Sequence, residues 1–426
     1  MRNEIKCEFE YHPVGQGLFY SGHLVFDDED YTFVYDCGSE MREPRTKAIS
    51  DFKKRFLKNK KEIDLLVISH LHTDHYNGIK QLLQNRGAKL AILPYMEDWE
   101  RIFIRLINGR NSKWNDDFLT DPAQYLLNNG VDRVIYIDNA GLTPEETPFN
   151  PDEFPPISDR RNIEKFLEPN VLKEANISHD VLSHLKGSGS AIRAANGKWF
   201  FVFYNNPLSI EIRTYFKQIL LNAGINLYDT QSITELMSSA KRNKVANAYK
   251  KVFGSGDQLN ITSLITIHGP CGKPGLHESK NFEWPQDCYC QLLTGDFSFP
   301  LWLDHFCDSN LKLIEKIGTA SIPHHGSQLN WASNIMERVN TPVNWVASFG
   351  SENKYDHPSK IIENLIQERN KKFIRITEKA GEKYLLHLKW PKREAPLNLR
   401  RLITLGIVEF LSIFLISAKT VWLITN

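Results

Sequence analysis

Several common signposts are missing from this sequence, and each omission narrows what the chain can be. Net charge is the first: 52 Lys and Arg stand against 51 Asp and Glu, a formal +1. No global field therefore draws in a polyanion, and any phosphate-binding surface has to be local. Cysteine is scarce. Cys7, Cys37, Cys271, Cys288, Cys290 and Cys307 include no Cys-x-x-Cys pair, and their spacing is not that of a disulfide framework. The first residues, Met1-Arg-Asn-Glu-Ile-Lys, hold no apolar signal core. These features together predict a reducing cytoplasm. The absence of internal repeats and low-complexity tracts excludes solenoid and disordered-tail architectures. At 426 residues the chain exceeds one average domain and can bury a large core.

Only the carboxyl end carries a long apolar run. Leu402 to Ile424 is interrupted by Glu409 and Lys419, with Lys392, Arg393, Arg400 and Arg401 upstream. Its length is close to the ~20 residues that cross a bilayer. The upstream cations would hold the main body on the cytoplasmic side of an inner membrane. The competing reading is an amphipathic or oligomer-forming helix, because Glu409 is expensive in lipid.

What the chain does have is concentrated in one loop. An apolar run, Leu65-Leu-Val-Ile68, leads through Ser69 into His70-Leu-His72-Thr-Asp74-His75, and a helix-like pattern, Ile79 to Leu83, leads out. His70 and His72 are two apart and share one side of extended backbone. Asp74 and His75 fall where the chain turns and face a second, nearby point. Neutral imidazoles and carboxylates are ligands of Zn, Mn or Fe. Two overlapping ligand sets in one loop predict two adjacent divalent ions, Zn or Mn.

Upstream, strands are expected at Glu8 to Tyr11, Gly17 to Phe26 and Tyr31 to Tyr35, the last ending in Asp36-Cys-Gly38. Arg42 to Glu62 is basic, with Lys53, Lys54, Arg55, Lys58, Lys60 and Lys61; it reads as a solvated helix face or as a phosphate-contacting patch. Lys89 to Tyr95 and Arg133 to Ile137 are strand-like, and Trp114 to Asn129 is helix-like. About 141–257 reads as a helical insertion set into a first domain of 1–390, leaving 391–426 as basic linker and hydrophobic tail. Within it lie an aromatic strand, Trp199 to Tyr204, and helix-like stretches at Ser209 to Ala223 and Thr230 to Phe253. His268, Cys271, His277, Cys288 and Cys290 fit no zinc-finger spacing and read as ordinary loop.

Three later motifs end strands or open helices. Asp296 closes the apolar run Cys290 to Leu293, His324 follows Ile314 to Ile322, and His357 stands before a helix-like run from Ser359. Alternating strand and helix signals in both halves, with polar residues at strand ends, predict an α/β protein with two packed sheets and helices outside.

The histidine loop resembles the signature of the metallo-β-lactamase-fold hydrolases. The series Asn260-x-x-Ser263, Leu292-Leu-Thr-Gly-Asp296, His324-His-Gly-Ser327 and Asn353-x-Tyr-x-His357-Pro358 resembles, more narrowly, the domain of the bacterial competence DNA-uptake protein and its free-standing relatives. That resemblance implies a four-layer αββα sandwich, here with the helical insertion and the hydrophobic carboxyl-terminal helix. It implies that His70, His72, Asp74, His75, Asp296 and one of the paired histidines hold metal; His324, nearer the strand, is preferred to His325. Asp36 would buttress the loop from behind, the alternative being a plain turn residue. Asn260 stands where many relatives have another histidine, with His184 as an alternative donor. Asp74, Asp296 and His357 would be catalytic, and His325, Ser327, Lys354 and His357 would meet substrate.

The expected chemistry is hydrolysis by hydroxide generated at a dinuclear site. The favoured substrate is the phosphodiester of DNA or RNA. The competing readings are hydrolysis of a small ester, lactone or cyclic nucleotide, and an inactive membrane-tethered adaptor or sensor. The resemblance also implies partners from bacterial defence or mobile-element systems.

Overall fold

The computed structural model describes residues 4–26, 29–58, 62–96, 104, 113–138, 182–186, 190–195, 197–205, 210–222, 224, 243–244, 247–248, 263–280, 284–285 and 287–390. Among these, two large sheets form. The first has nine strands, in the order Gly275–Lys280, Glu382–Lys389, Glu4–Tyr11, Phe19–Phe26, Glu29–Cys37, Leu65–Val67, Ala91–Pro94, Val134–Asp138 and Leu182–Lys186. The second has seven, in the order Ser190–Ala194, Trp199–Tyr204, Ile265–Pro270, Cys290–Leu293, Ile317–Ser321, Asn344–Ser348 and Lys372–Ile376.

Alternation along the strands shows how these layers stack. Phe33 and Tyr35 enter the apolar core between the sheets, whereas Val34 enters a second core under the helices Arg42–Phe56, Ile79–Leu83 and Pro122–Asn128. Leu65 and Val67 point inward and Leu66 outward in the same way. In the other sheet Trp199, Phe201 and Phe203 face the shared core. Phe200, Val202 and Tyr204 face a third core beneath the helices Phe299–Ser309, Ile335–Arg338 and Lys360–Glu368. Three cores separated by two sheets make four layers, helices outermost. Central strands buried on both faces are why these runs read as continuously apolar. Each fully buried Phe or Leu contributes about 1.5–3 kcal/mol through water exclusion.

The sequence reading needs several corrections. Residues 182–204, inside the stretch assigned to an insertion, supply edge and near-edge strands to both sheets. Trp114 to Asn129 is two helices, Lys113–Thr120 and Pro122–Asn128; Asp121 caps the second by accepting from Gln124 N at 3.0 Å. The proposed helix Thr230 to Phe253 falls almost wholly outside the described residues. So does the tail from 391, including Leu402 to Ile424. Among the described residues no helix is long and apolar enough to cross a membrane.

One histidine belongs to the core. His268 lies between the sheets, where its ring meets Tyr20 Oη at 3.1 Å and Trp199 Nε1 donates to its Nδ1 at 3.3 Å. Burial pushes its pKa down to about 3. The unfolded side chain titrates near 6.5, so above that pH both states are neutral and His268 adds no pH dependence. Below it the unfolded chain binds the proton first, and stability falls by up to about 1.4 kcal/mol per pH unit until the folded pKa is reached. Thermal unfolding between pH 7 and pH 4.5 should show this loss, and His268→Gln should flatten it. An unchanged acid slope in that variant would assign the loss elsewhere.

Candidate metal centre

Parallel strands aim the sequence motifs at one place. Leu65–Val67 runs parallel to Glu29–Cys37 and Ala91–Pro94, while Cys290–Leu293, Ile317–Ser321 and Asn344–Ser348 run parallel in the second sheet. The loops at their carboxyl ends meet at the edge of the shared core, where open α/β sheets bind ligands. The first loop leaves its strand at Ile68, and His72 stands in extended conformation ahead of the single turn Thr73–Tyr76. Gly38 makes this packing possible. A Cβ there would lie 2.4 Å from the Asp74 carbonyl carbon and oxygen and 2.5 Å from His75 N. Gly38→Ala should therefore push the ligand-bearing turn aside, at a cost of about 1–3 kcal/mol. Activity should fall with it, as a melting curve and a rate assay on one preparation would show.

Residues far apart in sequence converge here. One donor atom each from His70, His75 and Asp296 lies within 4.8 Å of the others, and so do donors from Asp74, His75 and His325. The two groups share His75. Its Nε2 is 3.1 Å from Asp296 Oδ1 and 3.8 Å from Asp74 Oδ2, while His70 Nε2 is 3.3 Å from Asp296 Oδ2. His72 stacks its ring edge-on against His70, centroids 4.8 Å apart.

Hydrogen bonds behind these side chains fix which nitrogen faces the centre. Asp36, fully buried in left-handed backbone at φ 55, accepts from Ser69 N at 2.7 Å and Ser69 Oγ at 2.6 Å. It also takes the Nδ1 proton of His75 at 2.8 Å, since a carboxylate can only accept. With its proton committed to Asp36, Ser69 Oγ accepts from His70 Nδ1 at 2.9 Å. His325 Nδ1 donates to the Ser348 carbonyl at 2.7 Å, and His324 Nδ1 donates to Asn330 Oδ1 at 2.8 Å. Each of these imidazoles therefore turns Nε2 toward the centre. His70 Nε2 and His75 Nε2 are buried there without a hydrogen bond of good geometry. Buried polar atoms rarely lack partners, and lone pairs aimed at carboxylate-lined space fit a cation.

The paired histidines are placed differently from what their order along the chain suggested. His324, His325 and Gly326 all have positive φ, 47, 55 and 91°. This turn swings His325 inward, where its Nε2 is 3.0 Å from Asp74 Oδ2. His324 stays partly buried on the flank, its Nε2 3.7 Å from Asp296 Oδ2, outside both metal-compatible groups. The preference for His324 rested on its position next to the strand, and that position does not determine direction through left-handed backbone. Ser327, expected to meet substrate, is buried in the same turn.

His357 lies beside His324, centroids 5.5 Å apart, and Lys354 is exposed on the same loop. Asn260 is outside the described residues, and of the His184 side chain nothing is described. His268, Cys271, Cys288 and Cys290 form no metal-type cluster among the described residues. The basic helix is largely self-satisfied. Arg55 pairs with Glu8 and Glu10, Lys47 with Asp51, Lys53 donates to the Gln81 and Gln84 carbonyls, and Arg45 donates to the Ser39 carbonyl. Lys60 and Lys61 lie outside the described residues. Ser69, Asn330 and the Ser348 carbonyl were not foreseen. Their neutral chemistry carries no motif, and only Ser69's place next to His70 hinted at it.

Charge in the centre follows from the same contacts. Burial works against protonation of His75, but Asp296, Asp74 and Asp36 override it and hold the imidazole well above its ordinary value. Burial likewise opposes protonation of His325, which Asp74 and Asp296 raise. Desolvation and the neighbouring His70 push His72 down to about 3. Burial would raise the Asp74 and Asp296 carboxyls; the histidines facing them pull both below the usual range instead. The same carboxylates that favour positive charge on His75 and His325 would favour a cation at this place.

Residues 20–99, which include Asp36 and the whole histidine loop, match the model of the Metallo-beta-lactamase superfamily. This stretch carries that superfamily's domain signature on a mixed α/β fold. Among solved structures, human tRNase Z, short form, is similar over 88% of this chain and 98% of its own, with 10% identity and a TM-score of 0.39. A long-form RNase Z from yeast is similar over 81% of this chain and 36% of its own, with 11% identity and a TM-score of 0.33. A search of curated proteins gave no match.

Proposed function

We propose that the chain is a metal-dependent hydrolase of phosphodiester bonds, with nucleic acid as its substrate. The observation that carries the hydrolase reading is the pair of donor groups joined through His75, with two buried Nε2 atoms aimed into it. His70 and Asp296, with His72 beside them, would hold one ion and Asp74 and His325 the other, His75 lying within reach of both. Adjacent cations, when bound, supply Lewis acidity at phosphoryl oxygens and lower the pKa of a water toward ~7.

The residues do the rest. Asp36, Ser69 and Ser348 lock the imidazoles so that no reorientation accompanies reaction. Asp74 and Asp296 orient the attacking water, and His357, beside His324 on the open flank, faces the charge developing on the phosphate. The reading of phosphodiester over small ester rests on the competence-type series of motifs.

A second reading, hydrolysis of small diesters or esters, is favoured by the pairing of Arg55 with Glu8 and Glu10 and the near-zero net charge. Labelled single- and double-stranded DNA, RNA and small diesters, each with Mn or Zn, separate the two. Turnover of nucleic acid that disappears in a His72→Ala/Asp74→Ala variant is expected. Turnover that persists in that variant refutes the site, and turnover of small diesters alone selects the second reading. Metal analysis of His325→Ala and His324→Ala should show loss of metal in the first only.

A further inference from the structure

We propose that Tyr355 is the platform on which the base next to the scissile phosphate stacks. This inference rests on the nucleic-acid reading above and adds its recognition element. Among the described residues large exposed aromatics are uncommon, and Tyr355, 42% exposed, stands beside the centre. Its ring stacks at 28° on His357, centroids 5.9 Å apart, and His357 in turn meets His324. Burial, the hydrogen bond to Glu40 and the charges of Glu40 and Asp74 raise its hydroxyl pKa to about 12.

The loop is built to present this ring. Asn353 alone makes four hydrogen bonds across it: Nδ2 donates to the Gly350 and His357 carbonyls, and Oδ1 accepts from Tyr355 N and His357 N. Ser351 N donates to Glu378 at 3.0 Å, and the Tyr355 hydroxyl donates to Glu40 at 2.7 Å. An exposed aromatic held this firmly loses little entropy when a flat partner docks. Lys354 holds its ammonium over the ring, 5.0 Å from the centroid, at the end of an exposed side chain that a docking base would displace. A base on the ring would bring its backbone phosphate within that cation's reach. Aromatic faces accept every base, so the platform would give affinity with little sequence preference.

The hydroxyl bond to Glu40 offers a competing role, a strap between two loops. Tyr355→Phe keeps the ring and cuts the strap; Tyr355→Ala removes both. With the metal-loaded full chain, Tyr355→Ala should raise KM for an oligonucleotide about 10-fold or more, with kcat nearly unchanged. Tyr355→Phe should resemble the parent. An oligonucleotide with an abasic residue beside the cleaved bond should be handled alike by parent and Tyr355→Ala. Equal losses in both variants, on abasic and intact substrate together, would identify a strap and overturn the proposal. No change in either, with nucleic acid still cleaved, would overturn it while leaving the nuclease reading in place. If the parent cleaves only small diesters, both readings fall.

Discussion

Asp296→Asn should yield a folded protein that has lost its metal and at least about 10³-fold of its activity, because hydroxide at neutral pH then has no source. The substitution preserves volume. It also preserves the backbone contacts that seat the residue, namely Asp296 N to Ser263 Oγ at 3.0 Å and Asn330 Nδ2 to the Asp296 carbonyl at 2.9 Å. What it removes is the charge that faces His70, His75 and His324 at 3.3, 3.1 and 3.7 Å. An amide offers one oxygen and no charge, and would hold the proposed cations far more weakly. Metal analysis and a rate assay on the variant check this. Full metal content with normal turnover would show that Asp296 is a bystander.

The second large effect is expected at Asp36, a residue no substrate or ion would touch. Asn tolerates the left-handed backbone there better than most residues, so Asp36→Asn isolates the loss of charge from backbone strain. The amide cannot accept from Ser69 N, Ser69 Oγ and His75 Nδ1 together. At least one donor is left buried and unpaired, and His75 loses the partner that fixes its tautomer. Loss of such a supporting carboxylate costs roughly 10–100-fold in metal affinity. Competition with a chelator would measure it. Unchanged affinity would mean that packing alone orients His75.

Why some of this was legible in the sequence follows from where the information sits. The histidine loop could be read because its donors fall within six positions, so local spacing alone brings them together. Asp36 and Asp296 could be read as strand-end acids because the apolar runs before them are unambiguous. The central strands of both sheets could be read for the same reason: burial on two faces leaves uninterrupted apolar stretches, whereas the edge strand Gly275–Lys280 read as loop. The His324–His325 choice could not, because it depends on three successive positive φ values that no residue preference except that of Gly326 announces. Leu182–Lys186 and Ser190–Ala194 escaped notice because they are edge strands, held by one partner each and separated by Gly187-Ser-Gly189. The pairing of Arg55 with Glu8 and Glu10 was invisible because it spans more than forty residues and depends on tertiary approach.

Anomalous scattering at the metal edge, from crystals of the full chain grown with Mn or Zn, bears most directly on the whole account. Two peaks per chain, about 3.5–4 Å apart as in two-metal hydrolases, are expected between His70, His75, Asp74, Asp296 and His325. A single peak away from Asp296, or none at saturating metal, would contradict it.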